Sequence, residues 1–278
     1  MQPPFCRCCF SECEITFYTN QFSPNLIESL CMKLTIVGCG DAWGTNGRSH
    51  TCFRLDALGR CVLVDFGASA IVAWHRMNMN LRDVDAIVIS HLHGDHFGGL
   101  PFLLLQSQFE YRRTRPLTIY GPPGLRDRLN QAIDVFFPGV VDQAWKFDWR
   151  VEEVEPGGVT DVVGLSLVTT PVVHGSGVLS TAICLSGGGK TFAYSGDTEW
   201  TPALETVAAG ANFFIVECYS GAGVVPGHLN WLTLRANLAG LSAKRIALTH
   251  MSGSSLALAR EFADAGVEVL DDGLVYEL

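Results

Sequence analysis

Three of the chain's eight histidines and one carboxylate fall within His91-Leu92-His93-Gly94-Asp95-His96. No other stretch constrains the fold as tightly. The run Ala86-Ile87-Val88-Ile89-Ser90 leads into it and Phe97-Gly98-Gly99-Leu100 leads out. A short, uninterrupted, largely β-branched run reads as a buried strand. On an extended segment residues i and i+2 point the same way, so His91 and His93 can converge on one point. Gly94 then lets the chain turn and present Asp95 and His96 to a second point nearby. Histidine nitrogen and carboxylate oxygen are donors that a borderline divalent ion such as zinc accepts. A fold that uses this cluster must gather strand ends along one edge.

The rest of the chain is long enough to build such an edge. Its 278 residues are 48% hydrophobic and 17% charged, which suits one large domain or two fused halves with ample core. No apolar run approaches the roughly 18 residues that span a bilayer. No basic start followed by an apolar stretch marks a secretory signal, so a soluble cytoplasmic protein with no membrane partner is expected. The net charge of −9 argues against broad non-specific nucleic-acid binding. It leaves room for a nucleic-acid substrate, because metal ions can supply local positive charge. The one basic cluster, Arg112, Arg113 and Arg115 with Arg126 and Arg128, reads as a solvated helix end rather than a phosphate site.

Five of the ten cysteines, Cys6, Cys8, Cys9, Cys13 and Cys31, precede Met32. Cys6-x-x-Cys9 is half of a zinc knuckle, but a second clean pair is missing. Met32-Lys33 followed by strand-like Leu34-Thr35-Ile36-Val37 resembles a start of translation. Residues 1–31 are therefore expected to be a disordered extension or a misassigned start, and 32–278 the folded domain. Cys39, Cys52, Cys61, Cys184 and Cys218 lie in apolar strand contexts and read as small core residues.

From Met32 onward, short strands alternate with Gly-rich turns and helical stretches. Strands are expected at Leu34–Val37, Thr51–Leu55, Cys61–Val64 and Ala86–Ser90, then at Leu117–Tyr120 and Leu165–Val173. Further strands are expected at Leu179–Leu185, Thr191–Ser195, Phe213–Val216 and Arg245–Thr249. Helices are expected at Ser69–Met77, Gly99–Tyr111, after Gly124 to about Phe137, and at Pro202–Ala209, Trp231–Ala239 and Ser255–Ala265. The stretch before Leu165 reads as a loop rich in Val, Gly and Asp. Two sheets with helices outside and turns along one edge is the economical α/β arrangement. No sequence repeat between the halves is evident.

Three later polar residues close strands. His174 follows Pro171-Val172-Val173, Asp197 closes Ser195-Gly196-Asp197, and His250 closes Leu248-Thr249-His250. With the first cluster they supply one more histidine for each of two ions and a carboxylate between them.

The H-x-H-x-D-H cluster, the later histidine, Ser195-Gly196-Asp197-Thr198 and Leu248-Thr249-His250 resemble the metallo-β-lactamase superfamily over essentially Met32 to Leu278. The opening Gly38-Cys39-Gly40-Asp41-Ala42-x-Gly44 and the tract from Glu217 to His228 look most like its phosphodiesterase branch, which includes ribonuclease Z and cyclic-phosphate phosphodiesterases. The resemblance implies a four-layer αββα sandwich. It implies one metal on His91, His93 and His174, and a second on Asp95, His96 and His250, with Asp197 between them and Asp65 a structural acid beneath. Zinc is the expected ion, with manganese and iron also compatible with His/Asp ligands.

The well-known β-lactamase class places a cysteine where this chain has Asp197. A carboxylate can bridge two ions, favouring a close pair that shares one hydroxide and suits displacement at phosphorus. Asp95, His228 and Glu217 are the expected catalytic residues. His228 resembles the general acid that protonates the leaving oxygen, and Glu217 the acid that orients it. His50 and His75 read as structural or solvated. Ribonuclease Z enzymes usually carry a long arm that grips transfer RNA, and no long basic insertion lies between Gly124 and His174. The phosphodiesterase of phosphonate breakdown carries a cysteine-rich zinc loop, absent from Gly44–Arg48. The expected activity is hydrolysis of a small or cyclic phosphodiester. Ribonuclease Z-like cleavage at transfer-RNA 3′ ends is the alternative, with ester, lactone or thioester hydrolysis third. A homodimer is expected from the resemblance.

Overall fold

The computed structural model describes residues 31–278. The extension expected over residues 1–31, with its Cys6-x-x-Cys9 pair, lies outside the described residues apart from Cys31. The first half runs β1 (Lys33–Gly38), β2 (Cys52–Ala57), β3 (Arg60–Val64), α1 (Ala70–Arg76) and β4 (Val84–Val88). It continues through the single turn α2 (Gly94–Phe97), then α3 (Leu100–Phe109), β5 (Leu117–Gly121), α4 (Leu125–Phe136) and β6 (Trp149–Glu153). The second half runs β7 (Val159–Val162), β8 (Leu165–Pro171), β9 (Thr181–Gly187), β10 (Lys190–Tyr194), α5 (Ala203–Ala208) and β11 (Phe213–Glu217). It ends with α6 (Trp231–Asn237), β12 (Ile246–Thr249), α7 (Gly253–Leu256), α8 (Ala259–Asp264), β13 (Glu268–Val269) and β14 (Val275–Glu277).

The apolar runs form strands buried on both faces, which is why they carry no polar alternation. In β1, Leu34 and Ile36 face one core while Val37 faces another. In β3, Val62 and Val64 alternate in the same way with Cys61 and Leu63. In β11, Phe213 and Ile215 alternate with Phe214 and Val216. The shared face is the core between the two sheets, and the outer faces lie under helices. Helix α4 presents Leu125, Leu129 and Ile133 at four-residue spacing to the outer core of the first half. The result is the four-layer αββα sandwich. Each fully buried Leu, Ile, Val or Phe contributes about 1.5–3 kcal/mol, so three continuous cores hold the layers together.

Strand order is β14-β1-β2-β3-β4-β5-β6 in one sheet and β13-β12-β11-β10-β9-β8-β7 in the other. Each half starts as an antiparallel meander and continues with parallel strands, at β3-β4-β5-β6 and β10-β11-β12-β13. The two halves therefore share an architecture without an evident sequence repeat. Strands β3, β4, β8, β10, β11 and β12 all end at one edge of the sandwich.

Four details differ from the sequence reading. Strands β6 and β7 occupy the stretch that reads as a loop, and β13 and β14 have no counterpart among the expected strands. The expected helix Ser255–Ala265 is two pieces, α7 and α8, because its first turn is tied to the end of β11. There Ser255 Oγ donates to the Cys218 carbonyl at 2.6 Å. The strand expected to Val173 ends at Pro171, where the chain leaves for the loop closed by Val172 N–H to Ser180 O at 3.0 Å. The basic cluster is not a solvated helix end throughout. Arg113 is buried and donates to the carbonyls of Leu81, Val84, Arg115 and Pro116, and Arg115 pairs with Asp85.

Candidate functional site

The polar residues at the ends of these strands meet at one place. The strand expected through Ser90 ends at Val88; the chain bends at Ser90, His91 follows that bend, His93 precedes the helical turn α2, and that turn carries Asp95 and His96. The turn expected at Gly94 is thus the start of a helix. His174 follows β8, Asp197 follows β10, Glu217 ends β11 and His250 follows β12. Loops from the two sheets are stitched across the edge. Thr181 N–H donates to Ser90 O at 3.0 Å, and His250 N–H donates to Cys39 O at 3.1 Å.

Asp197 lies at the centre and is 1% exposed. Its Oδ2 is 3.7 Å from His91 Nε2, 3.3 Å from His96 Nε2, 3.9 Å from His174 Nε2 and 3.2 Å from His250 Nε2. Asp95 Oδ2 is 3.2 Å from His96 Nε2 and 3.1 Å from His250 Nε2. The Nδ1 of His93 and the Nε2 of His174 are 2.9 Å apart. Four overlapping groups therefore converge as potential cation ligands: His91, His93 and His174; Asp95, His96, Asp197 and His250; His174, Asp197 and His228; and Glu217, His228 and His250.

Outer contacts fix which nitrogen faces inward. His96 Nδ1 lies 2.8 Å from Asp65 Oδ2, and Asp65 also accepts the Ser90 N–H and Ser90 Oγ–H, each at 2.7 Å. Ser90 Oγ in turn lies 3.0 Å from His91 Nδ1. His174 Nδ1 donates to Gly227 O at 2.7 Å. With one nitrogen engaged behind, each of these rings offers its Nε2 to the centre, the orientation a metal-binding imidazole needs. The inward Nε2 atoms of His91 and His96 and the Oδ1 of Asp197 are buried and have no hydrogen-bond partner. Each unsatisfied buried group costs about 1–3 kcal/mol, and a bound cation relieves all three together. The donor set fits a divalent ion: imidazole and carboxylate, with His91, Asp95, His96, Asp197 and His250 buried and His93 and His174 half-buried.

The carboxylates and imidazoles of the cluster shift one another: burial would lower His96 and His250, but Asp197 and Asp95 overcome it and raise both, His250 to about 9. Burial alone would push the Asp197 carboxyl up, but the neighbouring His250 and His96 outweigh it and hold it well below the usual carboxylate range. Asp95 is likewise lowered, burial being overcome by His96 and His250. Burial holds His91 well below its usual value, keeping the ring neutral and its lone pair available. Asp65, wholly buried, is pushed up by burial despite its bonds to His96 and Ser90.

Glu217 and His228 stand beside this cluster. His228 Nδ1 lies 3.1 and 3.3 Å from the two Glu217 oxygens and 4.0 Å from Asp197 Oδ2. Burial disfavours the charged His228 ring, but the hydrogen bond and charge of Glu217 override it and raise its pKa. Glu217 is itself anchored, accepting the Thr198 N–H, while its own N–H donates to Ser195 Oγ at 3.0 Å. The structure thus brings all nine sequence-derived site residues together. His50 is a loop residue whose Nδ1 accepts the Ser69 N–H at 3.2 Å. His75 contacts Gln106 on the outer surface at 3.0 Å.

Sequence reasoning missed Ser90, which links Asp65 to His91, and the Gly227 carbonyl, which orients His174. It also missed the N–H of Gly227, which donates to Glu199 Oε1 at 2.8 Å. Cys39, Asp271 and Asp272 form another compact group, but Asp272 is engaged in tying down the loop before β2. It accepts the N–H of Cys39 at 3.1 Å and of Ser49 at 2.7 Å.

Close backbone approach supports the cluster. A Cβ on Gly67 would lie 2.1 Å from the Asp95 carbonyl oxygen and 2.4 Å from the His50 Cβ. Gly67→Ala is expected to lower stability by about 1–3 kcal/mol and to displace the α2 turn that carries Asp95. A thermal melt with metal analysis checks it: both Tm and metal content should fall.

The two sheets with this cluster at their strand ends are the metallo-β-lactamase fold. The chain belongs to the family described as Anti-Pycsar protein Apyc1, which it matches over residues 32–266. It is 26% identical to a ribonuclease Z of Shouchella clausii over 302 aligned positions, covering 88% of this chain and 95% of that one. It is 31% identical to a ribonuclease Z of Methanothermobacter thermautotrophicus over 153 residues, 55% of this chain and 47% of that enzyme. In that second comparison the chain spans about half the relative's length, and it spans 30% of the Alkaliphilus oremlandii ribonuclease Z. Among solved structures, the metallo-β-lactamase-fold protein YhfI of Bacillus subtilis superposes with a TM-score of 0.75 at 20% identity, covering 89% of this chain and 100% of that one. Human tRNase Z, short form, superposes at 0.70 and 22% identity, covering 88% and 98%.

Proposed function

We propose that residues 32–278 form a metal-dependent phosphodiesterase acting on a small or cyclic phosphodiester. The observation that carries the reading is the Asp197 carboxylate, buried within 4 Å of imidazole nitrogens from both ligand groups. In this reading His91, His93 and His174 hold one divalent ion, and Asp95, His96 and His250 a second, with Asp197 shared. Zinc is the ion we propose, and manganese or iron would suit the same donors. When bound, such ions supply Lewis acidity and charge stabilisation at a phosphoryl group.

The chain's own residues do the rest. Asp65, Ser90 and the Gly227 carbonyl hold the imidazoles in the orientation that presents Nε2. His228 bears a proton beside the cleft and donates it to the departing alkoxide. Glu217 holds His228 by Nδ1, stabilises its charged form and leaves Nε2 for the leaving oxygen. Glu217→Gln weakens a charge-assisted hydrogen bond without removing a ligand. It is expected to lower kcat about 10- to 100-fold, with KM and metal content nearly unchanged, as steady-state kinetics and metal analysis would read.

A second reading, ribonuclease Z-like cleavage at transfer-RNA 3′ ends, is favoured by the near full-length match to the Shouchella clausii ribonuclease Z. Against it, the described chain between α4 and His174 holds the irregular segment 137–148 and three strands, with no further helix. The test is a turnover panel of cyclic nucleotides, bis(p-nitrophenyl) phosphate, precursor transfer RNA and a lactone, at defined metal loading. Cleavage of the lactone alone would overturn the phosphodiesterase reading.

None of the described helices is long and apolar enough to cross a membrane; a cytoplasmic setting is part of the proposal. So is a homodimer. Phe102, Phe109, Val135 and Phe136 are exposed on α3 and α4, with the Phe102 and Phe136 rings 5.7 Å apart. A contiguous exposed apolar patch marks an association surface. The double substitution Phe109→Asp, Phe136→Asp is expected to convert a dimer to a monomer in light scattering; a wild-type monomer would remove the dimer from the proposal.

A further inference from the structure

The segment between β11 and α6 carries His228 to the site, yet much of it is loosely held. From Ala222 to Pro226 it has no polar side chain, and Gly221, Gly223 and Gly227 punctuate it. Among the described residues, the hydrogen bonds of 222–226 stay within the loop. They run from the Ser220 hydroxyl to the Gly223 carbonyl and from the His228 N–H to the Val225 carbonyl. Val224, near the tip, is 84% exposed. The same loop supplies the Gly227 carbonyl that orients His174. A ring that delivers a proton to a leaving oxygen has to be held within a fraction of an ångström, and a polar-poor, glycine-rich loop does not hold it alone.

The loop is tied down at Gly227, and the group that ties it is Glu199. The Gly227 N–H donates to Glu199 Oε1 at 2.8 Å, while the Gly227 carbonyl accepts from His174 Nδ1 at 2.7 Å. Gly227 is left-handed, with φ of 82°, and a Cβ there would lie 3.0 Å from His174 Nδ1. The backbone itself is therefore pressed against the ring. Glu199 is exposed, but its main chain is fastened to the residue just before His174. Its N–H donates to the Val173 carbonyl at 2.9 Å, and its carbonyl accepts the Thr198 hydroxyl at 2.6 Å. That hydroxyl oxygen also accepts the Val173 N–H at 3.1 Å. The tripeptide Asp197-Thr198-Glu199 thus supports the site three times over. Asp197 faces the imidazoles, the Thr198 N–H donates to Glu217, and the Glu199 carboxylate takes Gly227. The last is a charge-assisted bond, roughly twice as strong as a neutral one.

We propose that Glu199 is a positioning residue for the reaction: by holding Gly227 it fixes both the ring of His174 and the place of His228. The two rings stand 4.9 Å apart and flank the glycine that Glu199 secures. The inference rests on the reading of His174 as a metal ligand and His228 as the proton donor. It adds the residue that keeps the two in register. Glu199 contacts neither ring directly and acts through the loop.

Three readouts on the full, zinc-loaded chain test the tether. Glu199→Ala is expected to speed amide hydrogen exchange at Gly227 about tenfold or more. It should speed the loss of one zinc ion to a chromophoric chelator about 10- to 100-fold. It should also lower kcat on alkyl phosphodiesters about tenfold with KM nearly unchanged. Glu199→Gln, whose side-chain carbonyl can accept the same N–H, should recover most of each loss. Because Glu199 is exposed, the metal-free wild type and metal-free Glu199→Ala should melt together. Wild-type rates of Gly227 exchange and zinc loss in Glu199→Ala overturn the proposal. So does a lowered metal-free melt, which would make Glu199 a support of the fold rather than of the site. A Glu199→Gln variant as impaired as Glu199→Ala overturns it as well, since charge and not the hydrogen bond would then be at work. Hydrolysis of bis(p-nitrophenyl) phosphate by the wild-type sample separates the two readings. Hydrolysis with zinc loss indifferent to Glu199→Ala removes the tether and leaves the reaction. Zinc loss that depends on Glu199, without hydrolysis, removes the reaction and leaves the tether.

Discussion

His228→Ala is expected to lower kcat by about 10²- to 10⁴-fold on phosphodiesters with alkyl leaving groups. On p-nitrophenyl diesters the loss should be far smaller. A departing alkoxide must be protonated as the P–O bond breaks, whereas p-nitrophenolate leaves without help. The ring is partly buried, with its Nδ1 engaged by Glu217 and its plane within 10° of that of His250 at a centroid distance of 5.3 Å. It sits 4.0 Å from Asp197 through Nδ1, the nitrogen Glu217 already holds, so it borders the ligand groups with its other nitrogen free for the cleft. Metal content should accordingly stay at the wild-type value. A plot of log kcat against leaving-group pKa reads the effect directly: the slope should steepen in the variant. Equal losses across the series, or loss of metal, would mean that His228 binds or ligates rather than donates a proton.

Much of this site is legible in the sequence because its residues stand at the ends of apolar strands. The sequence marks those ends plainly: Ile89-Ser90-His91, Tyr194-Ser195-Gly196-Asp197, Val216-Glu217 and Leu248-Thr249-His250. The four strands that the hydrophobic pattern does not reveal, β6, β7, β13 and β14, are the four outer edges of the two sheets. An edge strand is paired on one side only and buries little. In β6 only Val151 is buried, in β7 only Val162, and in β13 and β14 none is. The alternation that betrays a strand is absent there for that physical reason.

Contacts that depend on pairing across the chain are illegible for a different reason. Ser90 and Asp65 meet because β3 and β4 are paired in parallel, with Val64 opposite Val88. The Gly227 carbonyl reaches His174 across 53 residues, and the indole of Trp43 reaches Tyr219 across 176. No local spacing encodes such distances. Backbone conformation is equally hidden: Asp65 and His250 both adopt left-handed φ, near 58° and 56°. Such conformations are uncommon outside glycine and collect at functional sites, where surrounding contacts enforce them.

Asp197→Asn is expected to reduce bound metal from two ions to one or none and to lower kcat at least about a thousandfold, the order expected when a principal charge-stabilising element is lost. The amide preserves shape and removes the charge that the Nε2 atoms of His91, His96, His174 and His250 face, with His228 Nδ1 at 4.0 Å beside them. An ion shared through Asp197 loses an anionic ligand on each side, so both ligand groups should weaken together. Stability supplies a readout that does not depend on turnover. Ions bind the folded chain and not the unfolded one, so loading at about a thousand times Kd adds about 4 kcal/mol. That corresponds to a rise in Tm on the order of 10 °C for a domain of this size. Chelation should therefore lower the wild-type Tm substantially, whereas Asp197→Asn should already melt low and respond little to chelator. The comparison also separates ligation from folding. If the variant melts low yet regains the wild-type Tm and two ions on adding zinc, Asp197 is a structural acid, and the carboxylate at the centre of the site is not what holds the pair. If zinc fails to restore either, the four imidazole contacts of Asp197 are ligand geometry, and the buried nitrogens without hydrogen-bond partners are the positions the ions fill.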